Sequence, residues 1–335
     1  SLLWGIDFKN EEPDKLHNIL LQYCDYLDSS EINDMAWFDH TTSDRLCILT
    51  AIIKHPSFHK MEESILAKLN NIIFLHINKI SDYYKSEFWF DSNHGVFHAL
   101  AMLNISQIYK EGPNGIDVKE IGVEYLKTSL KGILSIEEGI SLEQSSYYHQ
   151  LGIELVESID DSYLQMIGIN KNEFIDRMIL ANYWFTSFEN KLVPIGDTSV
   201  ISKAAKQHVL SDEKEKLKTF THGGLTVVKS KSENNTSYFA MLHRKKRGPH
   251  GHFDALSVVL EKNNSRFLID SGGPYDYGSE MRYEYFMSSY AHNVLLINER
   301  PHQKGAIFIG SRQMNSDVFI VEAEHKGYSP ITHKR

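Results

Sequence analysis

The apolar residues of this chain change their period part-way along it, and that change limits the fold more than any single motif does. Over roughly the first 190 residues they recur at helical spacing: Leu16, Ile19, Leu20, Tyr23 and Leu27 make one stripe, and Ile65, Leu69, Ile72, Ile73, His76 and Ile80 another. The same spacing predicts helices over about 43–54, 94–108, 117–132, 148–165 and 172–188, with breaks at Pro56, Gly112-Pro113 and Gly168. Short loops between successive helices imply antiparallel helix hairpins. From about Gly223 the pattern turns to alternation and β-branched runs at 225–228, 238–242, 256–260, 267–270, 294–297, 307–309 and 318–321, which predicts an antiparallel sheet or sandwich. The implied organisation is an α-helical domain over 1–190, a linker over 191–222 that carries Pro194, Gly196 and a run of Lys and Glu, and a β domain over 223–335.

Charge narrows the function classes. Thirty-five basic against 44 acidic residues give a net charge of −9, a field that repels nucleic acid and anionic membranes. No run approaches the roughly 18 apolar residues that cross a bilayer. The sequence starts at Ser1 with no initiator Met and no signal-like segment, which reads as a processed or trimmed polypeptide. Cys24 and Cys47 lie in helical patterns and read as buried thiols, not as a disulfide.

Four clusters carry residues suited to chemistry. The densest is His243-Arg-Lys-Lys-Arg-Gly-Pro-His-Gly-His-Phe-Asp254, with three histidines, four cations and an acid in twelve residues. A strand beginning near His250 would point His250, His252 and Asp254 to one face, an arrangement suited to metal ligation or proton transfer. Trp89-Phe-Asp-Ser-Asn-His-Gly-Val-Phe-His98 opens a helix with Asp91 or Ser92 as N-cap, so that Asn93 and His94 fall in its first turn. Glu143-Gln-Ser-Ser-Tyr-Tyr-His149 sits at another helix entrance, where a phenol can act as acid or base. The fourth runs from Leu268-Ile-Asp-Ser-Gly-Gly-Pro-Tyr-Asp-Tyr277 through Arg282 to Ala291-His-Asn293.

Taken in chain order, and with Trp37-Phe-Asp-His40 and Arg45 upstream, the clusters resemble the heparinase II/III family of polysaccharide lyases, which includes related alginate lyases. The resemblance runs from about residue 37 to 300 and is most specific in the C-terminal motifs. It implies an α+β multidomain fold, an incomplete (α/α) toroid followed by an antiparallel β-sandwich, and a chain trimmed at both ends. It also implies cleavage of a uronic-acid-containing anionic polysaccharide by β-elimination, and a periplasmic or secreted location. That reaction needs a base for the C5 proton, a group that neutralises the uronate carboxylate, and an acid for the departing O4.

The resemblance assigns these roles to particular residues. Asn93 and His94 are the neutralisers, donors that stabilise the developing anion. Tyr148 is the acid and a possible base, with Tyr147 its rival, and His250 is a base or neutraliser. Tyr147, His149, Arg244, Arg247, Tyr277 and Arg282 are the substrate-binding candidates, and the cations 244–247 make a local attraction for carboxylate or sulfate within an acidic chain. A structural zinc would be held by His252, Asp270 and His292. Against that set, a regular hairpin turning at Asn263-Asn264 pairs Ser257 with Asp270 and leaves His252 on the other face, unless a bulge or wider loop intervenes. Ser288-Ser289-Tyr290 stands where many relatives have a basic residue, so a sulfate contact does not carry over. The competing readings are a non-catalytic glycan-binding or surface-polysaccharide assembly protein, and a toroidal glycoside hydrolase using two of Asp91, Glu143 and Asp254.

Overall fold

The structure is a computed structural model that describes residues 13–27, 37–55, 62–87, 89–203, 216–273, 276–302 and 305–335. Pro56 and residues 204–215 of the expected linker lie outside them. Two compact units are present, residues 1–132 with 161–169, and residues 133–160 with 170–335.

The first unit is helical. Its described helices are α1 (Pro13–Leu27), α2 (His40–Ile53), α3 (Glu63–Lys85), α4 (Asn93–Ser106), most of α5 (Val118–Ile133) and the short α7 (Asp161–Met166). The predicted stripe of α3 is its buried face: Ile65, Leu69, Ile72, Ile73, His76 and Ile80, joined by Ile77, are buried, as are Leu46, Leu49 and Ile52 of α2 and Met102, Leu103 and Ile105 of α4. Ser92 caps α4, its hydroxyl accepting the His94 N–H at 3.3 Å. Cys24 is buried and Cys47 half-buried, and they form no disulfide.

The second unit contains two further helices, α6 (Ser146–Ser158) and α8 (Lys171–Trp184), and the sheets. The helix expected over 148–165 is thus two: Ile159 leaves α6 in extended conformation, and the chain re-enters the first unit as α7. A five-stranded antiparallel sheet runs β3 (Leu217–Phe220), β4 (Leu225–Lys231), β5 (Thr236–Leu242), β6 (Val258–Lys262), β7 (Ser265–Leu268) in spatial order. A three-stranded sheet has the order β10 (Ile331–Lys334), β9 (Phe319–Tyr328), β8 (Ile307–Gln313), and a two-residue pair, β1 (Leu134–Ser135) with β2 (Ile140–Ser141), precedes α6. β3 lies inside the expected linker, and Val294–Ile297 forms no strand, only the single bridge Ile297 to Arg300.

Strand alternation explains why the central strands are apolar on both sides. Tyr238, Ala240 and Leu242 of β5 join Leu225, Val227 and Val259 in a core completed by Ala181 and Trp184 of α8 and by Phe185, Val193 and Ile195 after it. Met241 and Val258 face the other way, onto Leu256, Ala306 and Ala323.

The β6–β7 turn is at Asn263-Asn264 as expected, both residues having positive φ, the geometry of a two-residue hairpin. The regular register is not kept. Lys262 pairs with Ser265 and Glu261 with Arg266, but Leu260 pairs with Leu268, so a bulge absorbs one residue and both strands end before Ser257 or Asp270. His252 and Asp270 therefore leave the ladder in loops, and the objection that put them on opposite faces does not apply. No strand begins near His250 either: residues 250–257 are irregular.

Candidate active site

Within the second unit, the N-terminus of α6 and three loops bring the C-terminal motifs together. Ser145 caps α6, accepting the Tyr148 N–H at 3.3 Å while donating to the Asp197 carbonyl at 3.1 Å. This sets Tyr148 in the first turn, with its ring flat on the His250 imidazole, centroids 3.3 Å apart and planes 11° from parallel. The Tyr148 hydroxyl is 2.8 Å from that of Tyr277, which lies 3.5 Å from His250 Nδ1. Tyr147 stands edge-on to Tyr148 and points elsewhere, 39% exposed.

Behind the rings lies Asp197, a buried residue that no sequence motif singled out. Its Oδ2 accepts from His250 Nδ1 at 3.0 Å and Arg282 Nη2 at 2.7 Å, and its Oδ1 accepts from His252 Nε2 at 3.0 Å. Burial acts to raise its pKa, but the hydrogen bonds from His250, His252 and Arg282 together outweigh burial and hold the carboxyl well below its ordinary range. Gly196 makes this placement possible. It has φ 59°, and a Cβ there would stand 2.3 Å from the Gln144 carbonyl oxygen and 2.5 Å from that of His250. The usable signal was an acid directly after a glycine in an otherwise apolar Val-Pro-Ile-Gly run.

Glu143 faces the other imidazole nitrogen, Oε1 being 3.8 Å from His250 Nε2. Burial pushes this carboxyl up to about 8, so it is largely protonated at neutral pH. Burial likewise raises Tyr148, more than its bond to Tyr277 lowers it, with Glu143 and Asp197 adding to the rise. The phenol keeps its proton.

His252, Asp270 and His292 form a fully buried cluster whose ligand atoms lie within 4.8 Å of one another. Asp270 Oδ2 accepts from His292 Nδ1 at 2.8 Å, and Asp197 Oδ1 accepts from His252 Nε2. His252 Nδ1 and His292 Nε2 are left buried with no hydrogen-bond partner. Two orphaned imidazole nitrogens beside a carboxylate fit a zinc-type ion.

In the first unit, His94 Nδ1 is hydrogen-bonded to the buried Asp39 carboxylate, with Trp89 and His40 packed around its ring at 5.0 Å. Asn93 is partly exposed beside it and contacts the Ser92 hydroxyl. Asp39, inside the upstream signature, sits at φ 40°, a strained conformation for a residue with a side chain. His98 is a packed core histidine, bonded to Tyr125 and to the Asp39 carbonyl.

Residues 212–335 match the family model described as heparinase II/III-like, C-terminal. The resemblance read from the C-terminal motifs holds there, and the solved structures extend it as a likeness of fold. A heparinase III structure with methylated lysines superposes with TM-score 0.67 at 15% identity, covering 98% of this chain and 59% of its own. The heparan sulfate lyase HepC from Pedobacter heparinus gives TM-score 0.62 at 15% identity, covering 97% of this chain and 56% of its own. The chain thus spans less than two thirds of either relative. No curated protein matches it in sequence.

Within the second unit, three of the substrate-binding expectations need correction. Arg244 is buried, not offered to a ligand: it is committed to Asp254 through Nη1 at 2.9 Å and to the Gln144 carbonyl at 2.9 Å. Arg282 is buried against Asp197 and lies over the Tyr277 ring at 4.7 Å. His149 is fully buried, accepting the Ser141 N–H and donating to the Met178 carbonyl, and burial lowers its pKa to about 4. Each is a polar residue whose partner was invisible in the sequence, and burial forced the pairing. Arg247 packs over Phe253 and bonds the Gly251 carbonyl but stays exposed, so the exposed cations of the run are Lys245, Lys246 and Arg247. Tyr277 remains half-exposed at the site.

Proposed function

We propose that this protein is a polysaccharide lyase that cleaves a uronic-acid-containing anionic polymer by β-elimination, with the fold of an incomplete (α/α) toroid and an antiparallel β-sandwich. The observation that carries the reading is the Tyr148–His250 stack with Tyr277 on one side and Asp197 on the other. An anionic carboxylate that accepts from His250 Nδ1 leaves the lone pair of that ring on Nε2, which suits it to take a proton. Tyr148, a phenol whose hold on its proton burial strengthens, suits the opposite task of donating to the departing O4. His250 is therefore the base and Tyr148 the acid, with Tyr277 steadying the phenol. Asp254, one of the three carboxylates a hydrolase could use, is tied to Arg244.

For neutralising the uronate carboxylate we propose Asn93 and His94, which rests on the resemblance and on their capacity to donate hydrogen bonds. His252, Asp270 and His292 would hold a zinc ion, which would supply a structural cross-link between their loops and no step of the reaction. Heparan sulfate heads the list of trial polymers because a structural relative is named a heparan sulfate lyase. The periplasm or cell exterior, where such polymers occur, is the proposed location.

The test is near-ultraviolet absorbance during incubation with heparan sulfate, hyaluronan, chondroitin, alginate and bacterial capsule polymers. A rise with one polymer that vanishes in Tyr148→Phe supports the reading. Polymer binding by folded protein with no unsaturated product favours a glycan-binding or surface-polysaccharide assembly role, and reducing ends formed without a double bond point to a hydrolase.

A further inference from the structure

His250 and His252 stand two positions apart in an irregular loop, yet each addresses a different oxygen of one carboxylate. One of these rings belongs to the proposed elimination machinery and the other to the buried metal-type cluster. Asp197 is the only side chain described as bonded to both. A carboxylate paired with a guanidinium at 2.7 Å is an acceptor, so each imidazole must present an N–H to it and keep its lone pair on the far nitrogen. For His252 that nitrogen is Nδ1, buried and unpartnered among Asp270 and His292. For His250 it is Nε2, facing Glu143.

We propose that Asp197 is a positioning residue that couples the two sites: it fixes the tautomer and orientation of the metal-ligating His252 and of His250 at once, so that metal loading and proton transfer depend on each other. Any ion that draws on His252 Nδ1 strengthens the Nε2–H bond to Asp197 Oδ1 and restrains the carboxylate whose Oδ2 orients His250. Arg282 closes the arrangement, since the guanidinium that holds Oδ2 also lies over the ring of Tyr277, the partner of Tyr148. Coupling of this kind is reciprocal in binding. Carboxylate partners of metal-bound histidines typically contribute about 10–100-fold to metal affinity.

What His250 does rests on the lyase reading, but the metal half of the coupling does not, and the experiment separates them. Zinc affinity is measured by competition with a chromogenic chelator for the wild-type chain, Asp197→Asn, and the double variant Asp197→Asn with Arg282→Met, which removes both members of the buried ion pair and so leaves no stranded charge. A loss of about 10–100-fold in zinc affinity in both variants is expected. With a polymer that the wild type cleaves, stripping zinc should lower wild-type kcat more than it raises KM, and should leave the residual kcat of Asp197→Asn unchanged. Wild-type zinc affinity in the folded double variant overturns the proposal, as does a wild-type chain that takes up no zinc or an Asp197→Asn enzyme whose kcat still follows zinc. If no polymer is cleaved at all, the lyase reading falls while the zinc comparison still decides whether Asp197 serves the metal cluster.

Discussion

Burial raises both Tyr148 and Glu143, and the consequences differ: the phenol would carry its proton at neutral pH in any case, whereas the carboxyl carries one because it is buried. Replacing Tyr148 by Phe keeps the ring on His250 and removes the hydroxyl proposed to protonate the leaving oxygen. Turnover should fall by about 10²–10⁴-fold with polymer binding retained, as read by absorbance and by affinity electrophoresis. Tyr277→Phe, which removes the hydroxyl at 2.8 Å but not the proton donor, should cost less, roughly tenfold. Glu143 gives a stability test. Its pKa is raised from an ordinary 4.5 to about 8, so between those values the folded chain binds more protons than the unfolded one, and stability declines as pH rises through that window. Glu143→Gln removes this slope. Its advantage in melting temperature over the wild type should be absent near pH 4, widen toward pH 8 and reach several degrees, on the order expected for a shift of this size.

Among the elements, the start of α6 matters most, because one hydroxyl serves the helix and the loop that carries Asp197. Ser145→Ala deletes the N-cap and the bond to the Asp197 carbonyl together. It should destabilise the chain by about 1–2 kcal/mol in denaturant titration and lower kcat as well, whereas an isolated cap loss would spare turnover. Element type was largely legible beforehand. The stripe of α3, the Ser92 cap and the Asn263-Asn264 turn follow from period and local side-chain chemistry, which act over a few residues. What escaped was set by pairing that the apolar period does not encode. The bulge at Leu260 and Glu261 and the strand within the supposed linker depend on register with the neighbouring strand, while Arg244, Arg282 and His149 are withdrawn into buried bonds with Gln144, Asp197 and Met178, which are distant in the chain. Asp197 escaped for the same reason, its three partners lying more than 50 residues downstream in the chain.

At the scale of the whole molecule the net charge of −9 opposes an anionic polymer, and the exposed Lys245, Lys246 and Arg247, a few residues before His250 in the chain, offset that repulsion locally. Lys245→Glu with Lys246→Glu should raise KM several-fold at low salt with kcat little changed, and raising ionic strength should shrink the difference. The order in which the chain visits its two units has a practical outcome of another kind. It passes from the first to the second after 132, returns at 161 and leaves again after 169, so no single cut yields two intact pieces. The stretch 212–335, recognisable by itself as a family domain, is not thereby a folding unit. It would take away β4, β5 and β6 but leave behind Ala181, Trp184, Phe185, Val193 and Ile195, which form one wall of their core. Expressed alone, that stretch should be insoluble or loosely packed, and the boundary that sequence families respect is here not the boundary at which the protein can be divided.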